Sequence, residues 1–124
     1  MSRYAVAGSQ PAGAYSPGIV AEGRFVYVSG QAPLRDGVVV GESIEDQTRV
    51  TLENLAAVLA AAGVGVGEVV RCGVFLADMA DFQAMNSVYS EFFPSPLPAR
   101  TTVGVSLAGF LVEIDCVAVL PSGS

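Results

Sequence analysis

The segment from Leu111 to Leu120 constrains the fold more than any other part of this chain. Its hydrophobic residues alternate, so that one face of an extended strand carries Val112, Ile114, Cys116 and Ala118. The opposite face carries Glu113, Asp115, Val117 and Val119. Two carboxylates on an otherwise apolar face are unfavourable unless they are solvated or paired. The pattern therefore predicts a strand that is buried on one face and partly apolar on the other.

Two segments with helical spacing are predicted upstream of that strand. Ser43 and an acid three residues later resemble a capping box, which predicts a helix from about Ile44 to Ala62 that stops at Gly63. Asp78 is the predicted N-cap of a second helix, from Met79 to about Phe93. One face of this second helix carries side chains that we interpret as core, namely Phe82, Met85, Tyr89 and Phe92.

Short extended segments surround the two helices. Before the first helix three strands are predicted, namely the hairpin-like pair Ile19 to Glu22 and Phe25 to Ser29 around Gly23, and Val38 to Val40, with Arg3 to Ala7 as a further candidate that is not counted. After it come Val69 to Leu76 and, beyond Pro94, Pro96 and Pro98, Thr101 to Ser106. The order β-β-β-α-β-α-β-β predicts an α+β fold, a two-layer sandwich with two helices on one face of a mixed sheet.

Composition limits the classes of partner. A length of 124 residues fits one domain, residues 1–124, and a hydrophobic content of 52% with mean hydropathy +0.53 is high for a domain of this size. We expect the surplus apolar surface to be buried between copies of the chain. A net charge of −6 and a pI near 4.3, with six dispersed arginines, disfavour nucleic acid as a partner.

Membrane, disulfide and metal chemistry have no sequence signal. The N-terminal residues lack an apolar signal-like run, and the longest apolar stretch, Leu55 to Gly67, is too short to span a bilayer, so we expect a cytoplasmic protein without a membrane partner. Cys72 and Cys116 fall inside apolar runs, where a free cysteine behaves as a small hydrophobe. No set of ligands suggests a metal, and no nucleotide motif suggests a cofactor.

Arg100 is the strongest candidate for a functional side chain. The chain has no His and no Lys, and Arg100 opens a strand directly after a proline-rich turn. Alternation places it on one face with Thr102 and away from Val103. Its planar fork of donors matches a carboxylate or a phosphate in a bidentate way. Spacing alone, however, favours a surface arginine in an ion pair, because such pairs are common.

The missing residue types restrict the chemistry. Without His or Lys, and without a cysteine next to a base, neither a nucleophilic triad nor a Schiff base has its usual machinery. Hydrolysis of a small electrophilic acid remains possible, because it needs only an anion clamp and a positioned water. In that reading Arg100 binds the carboxylate of the substrate, and a side-chain carboxylate or a backbone carbonyl holds the water.

An ordered set of fragments resembles the Rid family of reactive intermediate deaminases, also called the YjgF family. The fragments are Gly13-Ala14-Tyr15-Ser16, Val28-Ser29-Gly30-Gln31, Asn54-Leu55, Asp81-Phe82-Gln83-Ala84-Met85-Asn86, Pro98-Ala99-Arg100 and Val112-Glu113-Ile114. The resemblance implies a chorismate-mutase-like fold and a homotrimer whose sheets form a barrel with clefts between subunits. It also implies hydrolysis of 2-imino acids, such as 2-iminobutanoate and 2-iminopropanoate, to 2-oxo acids and ammonia without a cofactor.

The same resemblance assigns roles to particular residues. Arg100 corresponds to the arginine that binds the substrate carboxylate, and Asp115 stands where archetypal members have a glutamate associated with the catalytic water. Four residues match positions that line the cleft: Tyr15, Ser29, Gly30 and Asn86. Thr102 stands where many members have a cysteine, and Ala14 replaces the proline before the family's tyrosine. Glu113 is interpreted as structural. These departures suggest a divergent subgroup.

Two other functions remain open at this point. The protein could be a non-enzymatic trimer that binds small carboxylates in the same cleft, or a chaperone-like protein that uses this surface without turnover. It could also be a ribonuclease, as for some relatives, but the acidic balance and the lack of His argue against this activity.

Overall fold

A mixed four-stranded sheet covered by two helices is the centre of the computed structural model, which describes residues 3–121. The strands are β1 (Arg3–Val6), β2 (Gly18–Ala21), β3 (Phe25–Gln31), β4 (Leu34–Arg35), β5 (Val38–Val39), β6 (Val69–Leu76), β7 (Ala99–Gly104) and β8 (Val112–Val119). The helices are α1 (Ile44–Ala61) and α2 (Phe82–Phe92). The predicted α+β fold with two helices on a mixed sheet is confirmed.

The large sheet has the strand order β3-β8-β6-β7. The strands β6 and β7 are parallel, because α2 connects them, whereas β8 is antiparallel to both β3 and β6. The strands β3 and β7 are therefore the two edges of this sheet. Their separation is three strand spacings, or about 14 Å at roughly 4.8 Å per spacing.

The first helix begins where its capping residue predicts, whereas the second begins at Phe82, three residues later than predicted. The Ser43 hydroxyl accepts a hydrogen bond from the backbone N–H of Asp46 at 3.0 Å, and α1 starts at the next residue after Ser43. Asp78 caps a short 3-10 turn, Met79–Asp81, and α2 continues from it. Gly63 has a φ of 84°, which ends the first helix in the left-handed region.

The strands before α1 differ from the prediction. Five strands precede α1 instead of three: the candidate segment at Arg3 forms β1, and Leu34–Arg35 is an additional strand that pairs with Val38–Val39 in a small hairpin. The predicted β2-β3 hairpin around Gly23 is wrong: β2 pairs with β1, and β3 pairs with β8. The side chain of Arg3 holds β1 near the start of β6 by donating to the carbonyls of Gly67 and Pro96 at 2.8 and 2.7 Å.

The two faces of the sheet have different surroundings. The face under the helices contains the predicted apolar row of β8, in which Ile114 and Ala118 are fully buried. The outer face carries Tyr27, which is 75% exposed, and Val103, which is 41% exposed. Because the other side of the sheet is already covered by helices, this outer face is the surface left for another molecule.

Candidate active site

Arg100 lies on the buried face of the edge strand β7. The register places it beside Cys72, which in turn pairs with Cys116 on β8. Arg100 is only 9% exposed. The surface ion-pair interpretation is therefore wrong: the ion pairs found among residues 3–121 do not include Arg100. Sequence alternation predicts two faces for β7, but only the packing of α2 decides that the face of Arg100 is the covered one.

Three aromatic rings surround the guanidinium of Arg100. The distances from its central carbon to the ring centroids are 5.1 Å for Tyr15, 5.4 Å for Phe82 and 4.7 Å for Tyr89. Rings within about 6 Å of a cation attract it through their quadrupoles. They cannot, however, accept the in-plane N–H bonds of the guanidinium in the way that an oxygen does. The rings therefore hold the cation in place but do not satisfy its N–H donors.

The donors of Arg100 are poorly satisfied within the chain. Nη1 lies 3.5 Å from the carbonyl oxygen of Ala14, a long hydrogen bond, and the buried Nε and Nη2 have no partner. Desolvation by burial lowers the pKa of Arg100, and the nearby Tyr89 and Tyr15 act in the opposite direction. An arginine stays protonated in proteins, so a buried cation with two free donors on one edge is suited to a carboxylate.

A turn from Ala12 to Ser16 covers this guanidinium. The backbone N–H of Ala12 donates to the Tyr15 hydroxyl at 3.0 Å, and the N–H of Ser16 donates to the carbonyl of Pro98 at 3.1 Å. A Cβ atom built on Gly13 lies 2.7 Å from Nη2 of Arg100, closer than real Cβ contacts come. Only glycine lets the turn approach the cation so closely.

Asn86 contacts the turn that covers Arg100, and Thr102 follows Arg100 on β7. The Asn86 side-chain oxygen accepts a hydrogen bond from the backbone N–H of Ala14 at 3.0 Å. Thr102 follows Arg100 on the same face of β7, and its buried hydroxyl has no partner among residues 3–121. We call the set Arg100, Tyr15, Asn86, Thr102, Phe82 and Tyr89 the arginine pocket. Four of its members, Tyr15, Asn86, Arg100 and Thr102, were predicted from the sequence.

Ser29 and Gly30 lie at the opposite edge of the sheet. Both are on β3, where the register with β8 shifts between Val28 and Gln31. The side chain of Glu113 lies against Gly30, in the space that a Cβ atom there would fill. Because β3 and β7 are opposite edges, one chain does not bring Ser29 and Gly30 to the arginine pocket. Contact between these two groups requires a second copy.

Asp115 is on the outer face of the sheet, whereas Arg100 is on the inner face. Its carboxylate accepts a hydrogen bond from the backbone N–H of Gly73 at 2.9 Å, and Nη1 of Arg71 lies 4.0 Å away. A Cβ atom at Gly73 has no room beside this carboxylate. The oxygen of Asp115 is thus held against β6 in the isolated chain.

The sequence pattern suggested other roles for three residues near the candidate site, Phe82, Tyr89 and Glu113. Phe82 and Tyr89 were interpreted as core, and both are packed in the core, but their rings also contact the cation. Their separation of seven residues, with Asn86 between them, places all three on one helical face and is the signal that could have revealed the pocket. Glu113 was interpreted as structural, and its position beside Gly30 had no local signal.

Other classes of site have no support in the part of the chain that the structure describes. No cluster of three His, Cys, Asp or Glu side chains there could hold a metal ion. Neither helix is both long and apolar enough to cross a membrane. Burial raises the pKa of Cys72 to about 12, and this outweighs the opposite effect of the nearby Arg100 charge. Its thiol is therefore protonated near neutral pH and is a poor nucleophile.

Comparisons with known proteins agree with this architecture. The family described as Endoribonuclease L-PSP matches residues 7–120. Protein mmf2, mitochondrial, from Schizosaccharomyces pombe is 46% identical over 80% of this chain and 82% of its own length. Reactive Intermediate Deaminase A, chloroplastic, from Arabidopsis thaliana is 40% identical over 87% of this chain and 59% of its own length. A Rid-family protein of unknown function from Yersinia pestis, YyfB, superposes with a TM-score of 0.87 at 25% identity, over 97% of this chain and all of its own.

Proposed function

The chain belongs to the Endoribonuclease L-PSP family, which is also the YjgF or Rid family, and from this we propose that it hydrolyses reactive 2-imino acids. The proposed products are a 2-oxo acid and ammonia. The unpaired, buried guanidinium of Arg100 is the observation that carries the proposal. A relative named Reactive Intermediate Deaminase A supports the reaction type, and 2-iminobutanoate and 2-iminopropanoate are the substrates that we propose.

Arg100 is proposed to bind the carboxylate of the substrate. Its Nε and Nη2 atoms form one edge of the guanidinium, so a carboxylate can accept two parallel hydrogen bonds from them. Both atoms are buried, so a ligand would reach them by displacing part of the covering turn. The ring of Tyr15 is the part best placed to move, because its hydroxyl is held only by an exposed hydrogen bond from Ala12.

The complete site is proposed to form between two copies in a homotrimer. The arginine pocket is at the β7 edge, whereas Ser29 and Gly30 are at the β3 edge. A head-to-tail contact brings the β3 edge of one copy to the β7 edge of the next, and a ring closes such contacts. The partly apolar outer face of the sheet, including Tyr27, is then buried. Sedimentation equilibrium showing a stable monomer at micromolar concentration would contradict this arrangement.

The carboxylate that holds the catalytic water remains a choice between Asp115 and Glu113. The sequence resemblance pointed to Asp115. An oxygen of Asp115 accepts the hydrogen bond from the Gly73 N–H and lies near Arg71. Glu113, on β8, lies beside Gly30 of β3, the edge strand that is proposed to contact the next copy. We therefore propose Glu113 as the water-holding group and Asp115 as a residue that supports the sheet.

The proposed reaction balances without a cofactor. The water adds through its oxygen to C2 of the imine, and one of its protons goes to the imine nitrogen, with the carboxylate as the relay. The carboxylate then carries the hydroxyl proton of the carbinolamine to the amine nitrogen, the C–N bond breaks as the C=O bond forms, and ammonia and the 2-oxo acid are released. Arg100 anchors the substrate throughout, so that C2 stays next to the water.

Ammonia release is the direct test. Fresh 2-iminobutanoate or 2-iminopropanoate, generated by an amino acid oxidase, is mixed with the protein, and ammonia formation is compared with the spontaneous rate. We expect clear acceleration by the wild-type protein. An unchanged decay of both imines would refute hydrolysis of these substrates.

Binding without turnover is the second candidate function. It is favoured by one observation: among residues 3–121 no carboxylate forms an ion pair with Arg100, and Asp115 lies on the opposite face of the sheet. Ribonuclease activity, which the family description mentions, is disfavoured by a net charge of −6 and by the lack of His in the sequence. A cytoplasmic location is part of the proposal, although some relatives are named mitochondrial or chloroplastic.

A further inference from the structure

The two cysteines of the chain lie directly opposite each other on neighbouring strands. Cys72 of β6 and Cys116 of β8 are register partners in the antiparallel pair, and the sequence contains no other cysteine. Opposite residues of such a pair project from the same face of the sheet. Both side chains are buried under the helices, and both thiols are free. The thiols therefore share one part of the core, and the proposed hydrolysis uses neither of them.

The hydrogen-bond pattern of β6 shows that this cysteine pair is of the close type. The N–H of Val105, directly after β7, donates to the carbonyl of Leu76 at 2.9 Å, so the backbone groups of Leu76 face β7. Backbone groups of alternate residues face the same side of a strand, and the register from Cys72 to Leu76 has no shift. The N–H and C=O of Cys72 therefore also face β7. The pair of Cys72 with Cys116 is thus one that exchanges no backbone hydrogen bonds.

Such a pair has the backbone spacing that a disulfide needs. The Cα atoms of opposite residues without mutual hydrogen bonds are about 4.5 Å apart, and their side chains are closer than those of a hydrogen-bonded pair. Disulfides join residues whose Cα atoms are about 4.4–6.8 Å apart. Burial and the neighbouring Cys72 both raise the pKa of Cys116, which is consistent with two thiols in proximity. The register therefore allows a bond between Cys72 and Cys116 without a shift of either strand.

Burial controls when this bond can form. Only a thiolate attacks a disulfide, and burial raises the pKa of Cys72 to about 12, which leaves very little thiolate near neutral pH. In the unfolded chain a cysteine has its ordinary pKa of about 8.5, and both thiols are accessible. Thiol–disulfide exchange is therefore fast before folding is complete and slow afterwards. The same burial shields a disulfide, once it has formed, from reducing thiols.

We propose that Cys72 and Cys116 are a redox modification site that is set during folding, at which a small-molecule disulfide converts the two thiols into a cross-link between β6 and β8. The thiolate of one cysteine attacks oxidised glutathione, and one glutathione thiolate leaves. Strand pairing brings the second cysteine opposite the first, and its thiolate attacks the protein sulfur of the mixed disulfide. The second glutathione thiolate then leaves. Two cysteine sulfurs are oxidised, two glutathione sulfurs are reduced, and the released thiolates take up the two protons.

The cross-link constrains the centre of the sheet. The strands β6 and β8 are the two inner strands in the order β3-β8-β6-β7. A bond between Cys72 and Cys116 closes a loop of about 45 residues, and such a closure restricts the unfolded chain. The oxidised protein should therefore unfold at a higher urea concentration than the reduced protein. A chain that folds without an oxidant keeps two free thiols.

Oxidative refolding tests the inference. The reduced chain is unfolded in urea and refolded by dilution into a mixture of reduced and oxidised glutathione. We expect a product that is lighter by two hydrogen atoms and whose Cys72 and Cys116 peptides are linked in a non-reducing digest. Its urea midpoint should lie about 1–2 M above that of the chain refolded with reductant alone. Folded, reduced protein in the same glutathione mixture should oxidise at least about 10³-fold more slowly.

An exchange of two residues on β8 provides the matched control. Cys116→Ala combined with Ala118→Cys keeps the composition, and both positions are buried on the same face. The cysteine at position 118 is opposite Val69 and diagonal to Cys72, at a spacing of about 7–8 Å that a disulfide does not bridge. This variant should refold in the glutathione mixture without an intramolecular disulfide.

Cys72→Ala leaves a single thiol and provides a second control that does not depend on the exchanged chain folding. Its urea midpoint should be the same in both refolding buffers. Wild-type protein that refolds in the glutathione mixture with both thiols free would overturn the inference. An equal yield of disulfide in the exchanged chain would overturn it too, as would folded protein that oxidises as fast as the refolding chain or an oxidised form that unfolds at lower urea than the reduced form.

Discussion

Arg3 and Arg100 are both buried arginines, but their surroundings differ. Arg3 is 6% exposed and Arg100 is 9% exposed. The Nε and Nη2 atoms of Arg3 donate to backbone carbonyls at 2.8 and 2.7 Å. The same two atoms of Arg100 have no partner, and its Nη1 makes only the 3.5 Å contact with Ala14.

The difference separates an anchor from a binding group. Carbonyl oxygens from Gly67 and Pro96, in two distant loops, satisfy one edge of Arg3, so this side chain fastens β1 to the rest of the fold. Aromatic rings hold Arg100 in place but leave the same edge unsatisfied. Burial alone therefore does not distinguish the two: among residues 3–121, Arg100 has two buried donors without a partner on one edge, whereas Arg3 has only Nη1.

Lysine substitutions at the two sites should separate these roles most strongly. Arg100→Lys should lower kcat/KM for imine hydrolysis roughly thirty-fold to several thousand-fold, since a buried charge pair lost on one side costs about 2–5 kcal/mol. Arg3→Lys should stay within about twofold in kcat/KM and lower the free energy of unfolding by about 1.5–3 kcal/mol. Kinetics and urea unfolding of both variants provide the measurements. An Arg100→Lys protein within twofold of wild type would remove Arg100 from the mechanism.

A second pair of variants tests which carboxylate, Glu113 or Asp115, holds the catalytic water. Glu113→Gln should lower kcat about 10²-fold with little change in KM, as expected for loss of a water-holding group. Asp115→Asn should lower kcat by less than about tenfold, because its oxygen still accepts from the Gly73 N–H. Steady-state kinetics measure both. The opposite ranking would restore Asp115 to the role that the sequence resemblance assigns.

Gly13→Ala perturbs the cation without removing it. The added methyl group collides with Nη2 of Arg100 and displaces either the guanidinium or the turn, so kcat/KM should fall about tenfold. Gly65→Ala is the matched control, because a Cβ atom there meets nothing within 4 Å. Equal activity of both variants would show that the close approach of the turn to Arg100 is unimportant.

Thiol reactivity gives the smallest expected signal. Burial raises the pKa of Cys72 to about 12, above its ordinary value, so the thiolate fraction at pH 8 is very small even though Arg100 lies alongside. We expect Cys72 to resist a disulfide-exchange reagent in the folded protein and to react only after denaturation. Rapid modification at pH 8 would mean that the charge of Arg100 activates this thiol.

Local sequence signals predicted most elements of the fold. The cap at Ser43, the bounds of β6 and the alternation along β8 all depend on neighbouring residues and were correct. The β2-β3 hairpin was wrong because pairing depends on partners elsewhere in the chain, here β1 for β2 and the distant β8 for β3. Gly23 marks a turn, but a turn does not determine which strands pair.

The candidate site was likewise predictable only in part, because contacts between residues that are distant in the chain leave no local signal. Arg100 and its neighbours were found by resemblance, but the aromatic rings were read as core only, because a helical stripe does not reveal what lies beneath it. No local signal indicated that Arg3 is buried as deeply as Arg100, since the partners of Arg3 are 64 and 93 residues away. The functional roles of all the predicted site residues stay predictions: Arg100, Tyr15, Asn86, Thr102, Ser29, Gly30 and Asp115.

An NMR titration of the arginine Nε–H signals tests the central claim most directly. Butanoate is added to ¹⁵N-labelled protein, and the signals of Arg100 and Arg3 are assigned with the two lysine variants. The account predicts a saturable downfield shift of the Arg100 signal and no shift of the Arg3 signal, because only Arg100 has free donors on that edge. A shift at Arg3, or no shift at Arg100 at saturating butanoate, would contradict it.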